Sequence, residues 1–206
     1  MKSMVPLPSA DLVRAARKEY EGDIADLALS ELFRQYPRNE SYSHVLLKVV
    51  ALDRLYSTNV KACYDAANHI HKRGEEIDSA LANGSPEIVD TIAALKLSIS
   101  GKQRLIYSFA SKYCSWHRPG KYPIWDSRVR QYLTALRYQL KDTEDAGLLG
   151  TNPYLWTLYP EFVALIERMQ KRYGLEEFTF KDIDKLMWKY GADPKDEDSS
   201  GLAAAV

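Results

Sequence analysis

The sequence predicts an all-α fold, and three observations lead there. Nearly every periodic stretch repeats its apolar residues at spacings of three and four, as one face of a helix requires. No segment of useful length alternates with the two-residue period of a strand. Glycine and proline fall mainly between the periodic stretches, where they punctuate rather than interrupt them. No heptad run and no internal repeat is present, so the expected architecture is a compact multi-helix domain rather than a coiled coil or a solenoid.

Taken in order, helices are expected over Ser9 to Tyr20, Asp23 to Gln35, Tyr42 to Tyr56 and Asn59 to Lys72. In the third, Val45, Leu46, Val49, Val50 and Tyr56 form an apolar stripe that Asp53 interrupts. A short helix from Glu75 to Ala82 ends at Asn83-Gly84, a left-handed stop. Ser85-Pro86-Glu87 reads as an N-cap with proline at the first helical position, opening a helix through Ile88, Ile92 and Leu95 towards Ser98. Gly101 breaks that pattern before a helix from Gln103 to His117. The loop from Arg118 to Ile124 holds two prolines and a glycine and cannot be helical throughout. Ser127 to Leu140 then carries Val129, Leu133 and Leu136 on one side. A long amphipathic helix spans about Pro153 to Tyr173, and a final one runs from Lys181 to Tyr190 with Thr179 as N-cap and Asp182 at N3. Residues 1–190 read as one domain, and 191–206 have the composition of a disordered tail.

With 206 residues, 46% hydrophobic and 27% charged, the chain has the profile of a soluble globular protein. It lacks an apolar run near the ~18 residues that span a bilayer, and its N-terminus lacks the apolar core of an export signal. Cys63 and Cys114 lie 51 positions apart without a CxxC, which fits thiols of a reducing compartment. The expected location is the cytoplasm, associated with the nucleoid if the source is bacterial.

Charge is neutral overall and strongly segregated. Between Gly101 and Lys141 stand nine basic residues, Lys102, Arg104, Lys112, Arg118, Lys121, Arg128, Arg130, Arg137 and Lys141, against one acid, Asp126. With 28 basic and 28 acidic residues in all, the remainder holds 19 against 27. A segment of +8 attracts phosphate backbones whatever the net charge. Tyr107, Trp116, His117, Tyr122 and Trp125 are interleaved with these cations, a pattern suited to nucleic acid, with cations on phosphates and rings against bases. Asp126 follows a proline-containing stretch and precedes a helix, where an N-cap belongs; its carboxylate can accept the amide of Arg128 or Val129.

The run SGKQRLIYSFASKYCSWHRPGKYPIWDSRVRQYL resembles the core of the helix-hairpin-helix DNA glycosylases, in particular a compact branch related to 8-oxoguanine DNA glycosylase. Pro123-Ile124-Trp125-Asp126-Ser127-Arg128-Val129 looks like that superfamily's proline-valine-aspartate-type motif, with Asp126 in the place of the catalytic aspartate. SHVLLKVVALDRLYSTNV and FKDIDKLMWKYG resemble the elements that precede the base pocket and close the domain, so the likeness covers about residues 43–190. It implies double-stranded DNA as partner, no membrane association, no nucleotide or other cofactor, and excision of a damaged or modified base.

Two departures stand out. The phosphate-gripping Gly-x-Gly of the hairpin is reduced to Ser100-Gly101, a degenerate hairpin. The lysine of lyase-active members stands 18 or 19 residues before the aspartate; 18 before Asp126 is Ser108, whereas Lys112 lies 14 before and Lys102 lies 24 before. Lys112 is on the same helical face as Ser108, one turn along. It falls about a quarter-turn from the centre of the Ile106, Phe109, Ala110, Tyr113 face, where a half-buried amine can reach a cleft. Lys112 is therefore preferred to Lys102 as nucleophile.

The resulting assignment puts Asp126 and Lys112 at the catalytic centre. Lys102, Arg104, Arg118, Lys121, Arg128 and Arg130 are placed on DNA, and Tyr107, Trp116, His117 and Trp125 at the flipped base or the gap it leaves. No metal site is expected: His69 and His71 diverge on a helix, and Cys114 with His117 supplies at most two ligands. Two other readings compete: a helical DNA-binding module without catalysis, and a helical protein-interaction domain. Base release separates the first from an enzyme, and failure to bind DNA at any salt concentration would favour the second.

Overall fold

The computed structural model describes residues 4–150 and 158–191. Ten helices and one two-stranded sheet are formed among them: α1 Ala10–Glu19, α2 Ile24–Gln35, α3 Tyr42–Leu55, α4 Cys63–Lys72, α5 Gly74–Asn83, α6 Ile88–Ala93, β1 Ala94–Lys96, β2 Gln103–Leu105, α7 Tyr107–His117, α8 Ser127–Leu140, α9 Tyr159–Arg172 and α10 Phe180–Tyr190. The protein is predominantly helical, as its periodicity predicts.

Several helix ends are set by local capping. Ser9, Asp23, Asp126 and Thr179 each accept an amide of the first turn through the side chain, and Thr179 with Asp182 forms a reciprocal capping box. Gly84 closes α5 at φ 71°, in the left-handed region expected of it.

The structure departs from the sequence reading around Gly101. The helix expected to reach Ser98 ends at Ala93, and the one expected from Gln103 starts at Tyr107. Between them β1 and β2 pair antiparallel, Leu95 opposite Arg104, and Gly101 turns the hairpin at φ 66°. Each strand is three residues long, too short for a period-two signal. Ser100-Gly101 thus lies at the tip of a β-hairpin. The Asn59 to Lys72 helix also starts late, at Cys63. Ser57, Asn59 and Lys61 all have positive φ, and Asp53 organises this turn by accepting from Val60 N, 2.8 Å, and Thr58 Oγ1, 2.7 Å. The first turn of the expected Pro153 helix and the tail from 192 lie outside the described residues.

Helix α7 is the centre of the domain. Phe109 to Trp116 are all buried, and α7 packs against α2, α3 and α6. A helix buried all round has no solvent side, so Lys112 is not on a half-exposed flank but enclosed. The first and last helices, α1 and α10, pack together, and α10 also packs on α8. Buried Val45, Lys48, Val49 and Leu52 line α3, so the true stripe includes a lysine and leaves Val50 outside. Lys48 Nζ donates to Arg38 O at 3.1 Å and Asn39 Oδ1 at 2.9 Å and faces His117 Nε2 at 3.2 Å. Burial pushes this ammonium down to about 8, against a partly offsetting pull from Asp78. Among the described residues no helix is long and apolar enough to cross a membrane. Both cysteines are free thiols, Cys114 buried and Cys63 half-buried.

Candidate functional site

The loop before α8 is fastened to α7 at its end. Ser111 Oγ accepts the amide of Trp125 at 3.0 Å and lies 3.3 Å from the Trp125 carbonyl. Tyr159 donates to the Pro123 carbonyl, and Tyr122 to those of Ala80 and Ser85. These attachments deliver Asp126 to Lys112. Asp126 Oδ1 caps α8 by accepting Val129 N at 3.0 Å, while Oδ2 lies 2.9 Å from Lys112 Nζ. Both side chains are about 7% exposed. The amine also reaches Ser108 Oγ at 3.4 Å and sits over the Tyr56 ring. The shorter lysine-to-aspartate spacing is therefore bridged in space: the residue at the 18-residue position, Ser108, is itself a neighbour of the amine.

The pair forms part of the wall of a cleft of about 460 Å³ between α2, α3, α7, α8 and α10. Three further carboxyl groups line it, Asp23, Asp26 and Asp184, with Lys181, Lys185 and Arg128. Asp26 accepts from Tyr56 Oη and draws two of the lysines of α10, Lys181 at 3.3 Å and Lys185 at 3.8 Å. Asp184 is buried, and its Oδ1 has no hydrogen-bond partner among the described residues. Burial, reinforced by the Asp126 carboxylate and partly offset by Lys112 and Lys181, pushes its carboxyl up to about 8. Arg128 lies over the Trp188 ring at 3.8 Å, and Trp188 meets Tyr20 edge-on.

The aromatic residues of this cleft are thus Tyr20, Tyr56 and Trp188 rather than the expected set. Trp125 packs on Phe162 against the core, and Tyr107 donates to Asp90 at 2.7 Å. Trp116 and His117 line a different cleft of about 680 Å³, together with Arg34, Arg38 and Arg118. His117 is enclosed by Phe33, Tyr113 and Lys48; burial first, then Lys48, pushes its imidazole well below the usual range, so it is neutral. Lys181 lines both clefts, with its amine 3.2 Å from the centre of the Trp116 ring. A tryptophan that belongs to the core and one that lines a cleft are chemically the same in sequence; packing separates them.

The expected DNA-contacting residues are dispersed. Arg128 borders the Lys112–Asp126 cleft and Arg118 the other, where it donates to Ala82 O at 2.9 Å. Arg104 is tied to the carbonyls of Asn59 and Val60 at 2.8 and 2.7 Å. Lys102 is exposed in the hairpin turn, away from Asp126's contacts, and Lys121 and Arg130 are also exposed. Asp184, Asp26, Tyr56 and Trp188 escaped the sequence reading. One signal did exist: Asp184 interrupts the apolar stripe Phe180, Ile183 and Met187 of α10.

A helical domain with an enclosed lysine–aspartate pair opening on a cleft lined by both carboxyl groups and cations defines a class of site suited to acid, base and nucleophile chemistry. Residues 11–121, more than half of the chain, match the family model HI_0787_N, an N-terminal domain, and the protein belongs to that family. The matched residues include Lys112 and stop short of Asp126. The chain is also 30% identical, over 146 residues, to an uncharacterized protein of Haemophilus influenzae. That likeness covers 68% of this chain and 62% of the relative. No solved structure matches the chain.

Proposed function

We propose that the protein is a DNA glycosylase that excises a damaged or modified base, with Lys112 giving it lyase activity. The observation that carries this reading is the buried contact of 2.9 Å between Lys112 and Asp126 in the wall of an open cleft. Keeping an ion pair at that depth costs several kcal/mol of desolvation per ion, so its place beside an open cleft calls for a use. The resemblance of the PIWDSRV motif and the basic segment around it support the same conclusion.

A base inside a duplex is out of reach, so the enzyme turns its nucleotide out of the helix and into the cleft. Tyr20, Tyr56 and Trp188 supply the aromatic surface there, and Arg128 with the exposed Lys102, Lys121 and Arg130 holds phosphates. As the glycosidic bond breaks, positive charge grows on the sugar, and the Asp126 carboxylate opposes it. Asp126 is fixed for that role by the Val129 amide and needs no rearrangement. Lys112, once it has given up a proton, attacks C1′ and yields a Schiff base that leads to strand cleavage.

The test is incubation with duplexes carrying 8-oxoguanine, uracil, hypoxanthine or thymine glycol, with and without borohydride. Base release and a borohydride-trapped adduct support the reading. DNA binding without release from any duplex would leave a binding module, and failure to bind DNA at any salt concentration would leave a protein-interaction domain.

A further inference from the structure

Among the acids that meet in the cleft, Asp184 stands apart, because its buried Oδ1 has no hydrogen-bond partner among the described residues. Asp126 has Lys112 and the Val129 amide. Asp26 has Tyr56, Lys181 and Lys185, and Asp23 caps α2 through the Asp26 amide. Asp184 Oδ1 is buried with no partner among the described residues, on a side chain that lines the same cleft as the lysine–aspartate pair. A carboxylate left so is costly, whereas a neutral carboxylic acid is tolerated and keeps a proton to give.

We propose that Asp184 is the general acid of this site, delivering its carboxyl proton to the base as the glycosidic bond breaks. The inference rests on the glycosylase reading above. The C1′–N bond breaks with its electron pair staying on the base nitrogen, the Asp184 proton passes to the base, and a carboxylate is left. The nucleophile that bonds to C1′, water or the Lys112 amine, sheds one proton as it does so, and the Asp184 carboxylate takes it up. Two carboxyl groups in one site, Asp184 kept neutral by burial and Asp126 held against the Lys112 amine, divide the work of acid and electrostatic stabiliser.

The groups facing Asp184 fix the direction of its pH dependence. Asp126 on α8 and Asp26 on α2 hold its proton on, while Lys112 on α7 and Lys181 on α10 pull it off, and burial decides the balance. The hydroxyls of Tyr56 and Tyr159 also lie within its field and are themselves pushed up by burial. The acid form is therefore present below about 8 and lost above it. In the same way, between the ordinary carboxyl value of 3.8 and about 8 the folded chain keeps a proton that the unfolded chain has released. Folding stability consequently falls as pH rises through that window and levels off above it.

Single-turnover base release between pH 6 and 10, on whichever of the four duplexes wild type processes, tests the proposal. Wild type is expected to hold a plateau and then fall tenfold per pH unit above about 8. Asp184→Asn should be slower by about 100-fold or more with that alkaline fall gone, and Asp184→Glu should recover part of the rate. The Asn variant should also melt higher than wild type at pH 9, by about 2–4 °C, because it has no buried charge to create. An unchanged alkaline limb in Asp184→Asn, a rate within a factor of about three of wild type, or an Asn variant that melts lower than wild type at pH 9 overturns the proposal. Loss of the Asp184 role with base release intact leaves the glycosylase reading standing, whereas wild type that releases no base removes both.

Discussion

Gly191, at the end of α10, sits directly against the backbone of Arg128 at the start of α8. A Cβ added to Gly191 would stand 2.0 Å from the Arg128 carbonyl oxygen and 2.7 Å from its carbon. Both obstacles are backbone, so no side-chain adjustment relieves them. This contact joins the end of α10 to the start of α8, two residues beyond Asp126 and seven beyond Asp184.

Replacing Gly191 by Ala should therefore force the two helices apart. The expected cost is that of overpacking, about 1–3 kcal/mol, read as a fall of several degrees in melting temperature. Base release should fall as well, since the acids lose their common cleft. A Gly191→Ala protein with wild-type melting and activity would show that the end of α10 is free to move.

Asp126→Asn keeps the size of the side chain and much of its capping ability, but the structure adds a cost that the sequence did not reveal. The variant leaves the Lys112 ammonium facing a neutral amide in an enclosed site. Losing one member of a buried pair typically costs ~3–5 kcal/mol. Here Asp184 can ionise in compensation, because the Asp126 charge is among the causes that hold its proton on. The expected loss is thus about 1–3 kcal/mol, and base release should drop by roughly 100- to 1,000-fold. Denaturant unfolding and single-turnover kinetics measure the two; full activity in a destabilised variant would reduce Asp126 to a cap and a counter-ion.

Lys112→Gln should still bind DNA and should no longer be trapped by borohydride on a processed duplex. Lys102→Gln should be trapped as wild type is and should bind somewhat more weakly, since Lys102 is an exposed residue of the hairpin turn. Mass measurement of the trapped peptide locates the bond. Trapping that survives Lys112→Gln and disappears in Lys102→Gln would reverse the assignment. Base release with no trapping in wild type would make water the nucleophile.

Salt dependence examines the charged surface. Each phosphate contact contributes ~0.9 to the log–log slope of affinity against salt, so Arg128→Ala with Arg130→Ala should lower that slope by about 1–2 and weaken binding to all sequences alike. Arg128 also supports the Trp188 ring, and Trp188→Ala should weaken binding with little change in slope. Affinity and slope unchanged in the arginine double variant would take this face out of the interface.

What the sequence determines by itself is what local chemistry controls. Asp126 can be read as the N-cap of α8 because a cap depends on the few residues that follow it, and the Thr179–Asp182 box is legible for the same reason. Helical projection already puts Lys112 one turn from Ser108, and the amine does reach Ser108 Oγ. The tertiary structure decides everything that depends on neighbours from distant segments. Three-residue strands carry no periodic signal, so the hairpin is set by pairing across Gly101. Lys48 sits in a buried stripe because Asn39, Arg38 and His117 arrive to meet it. The aromatic residues of the cleft, Tyr20, Tyr56 and Trp188, come from three parts of the chain, while Trp116 and Trp125 from the basic segment turn elsewhere. The proton affinity of Asp184 depends on burial and on charges contributed by α2, α7 and α8. Electrostatic fields act through space, and a sequence fixes which charges exist but not which of them stand together.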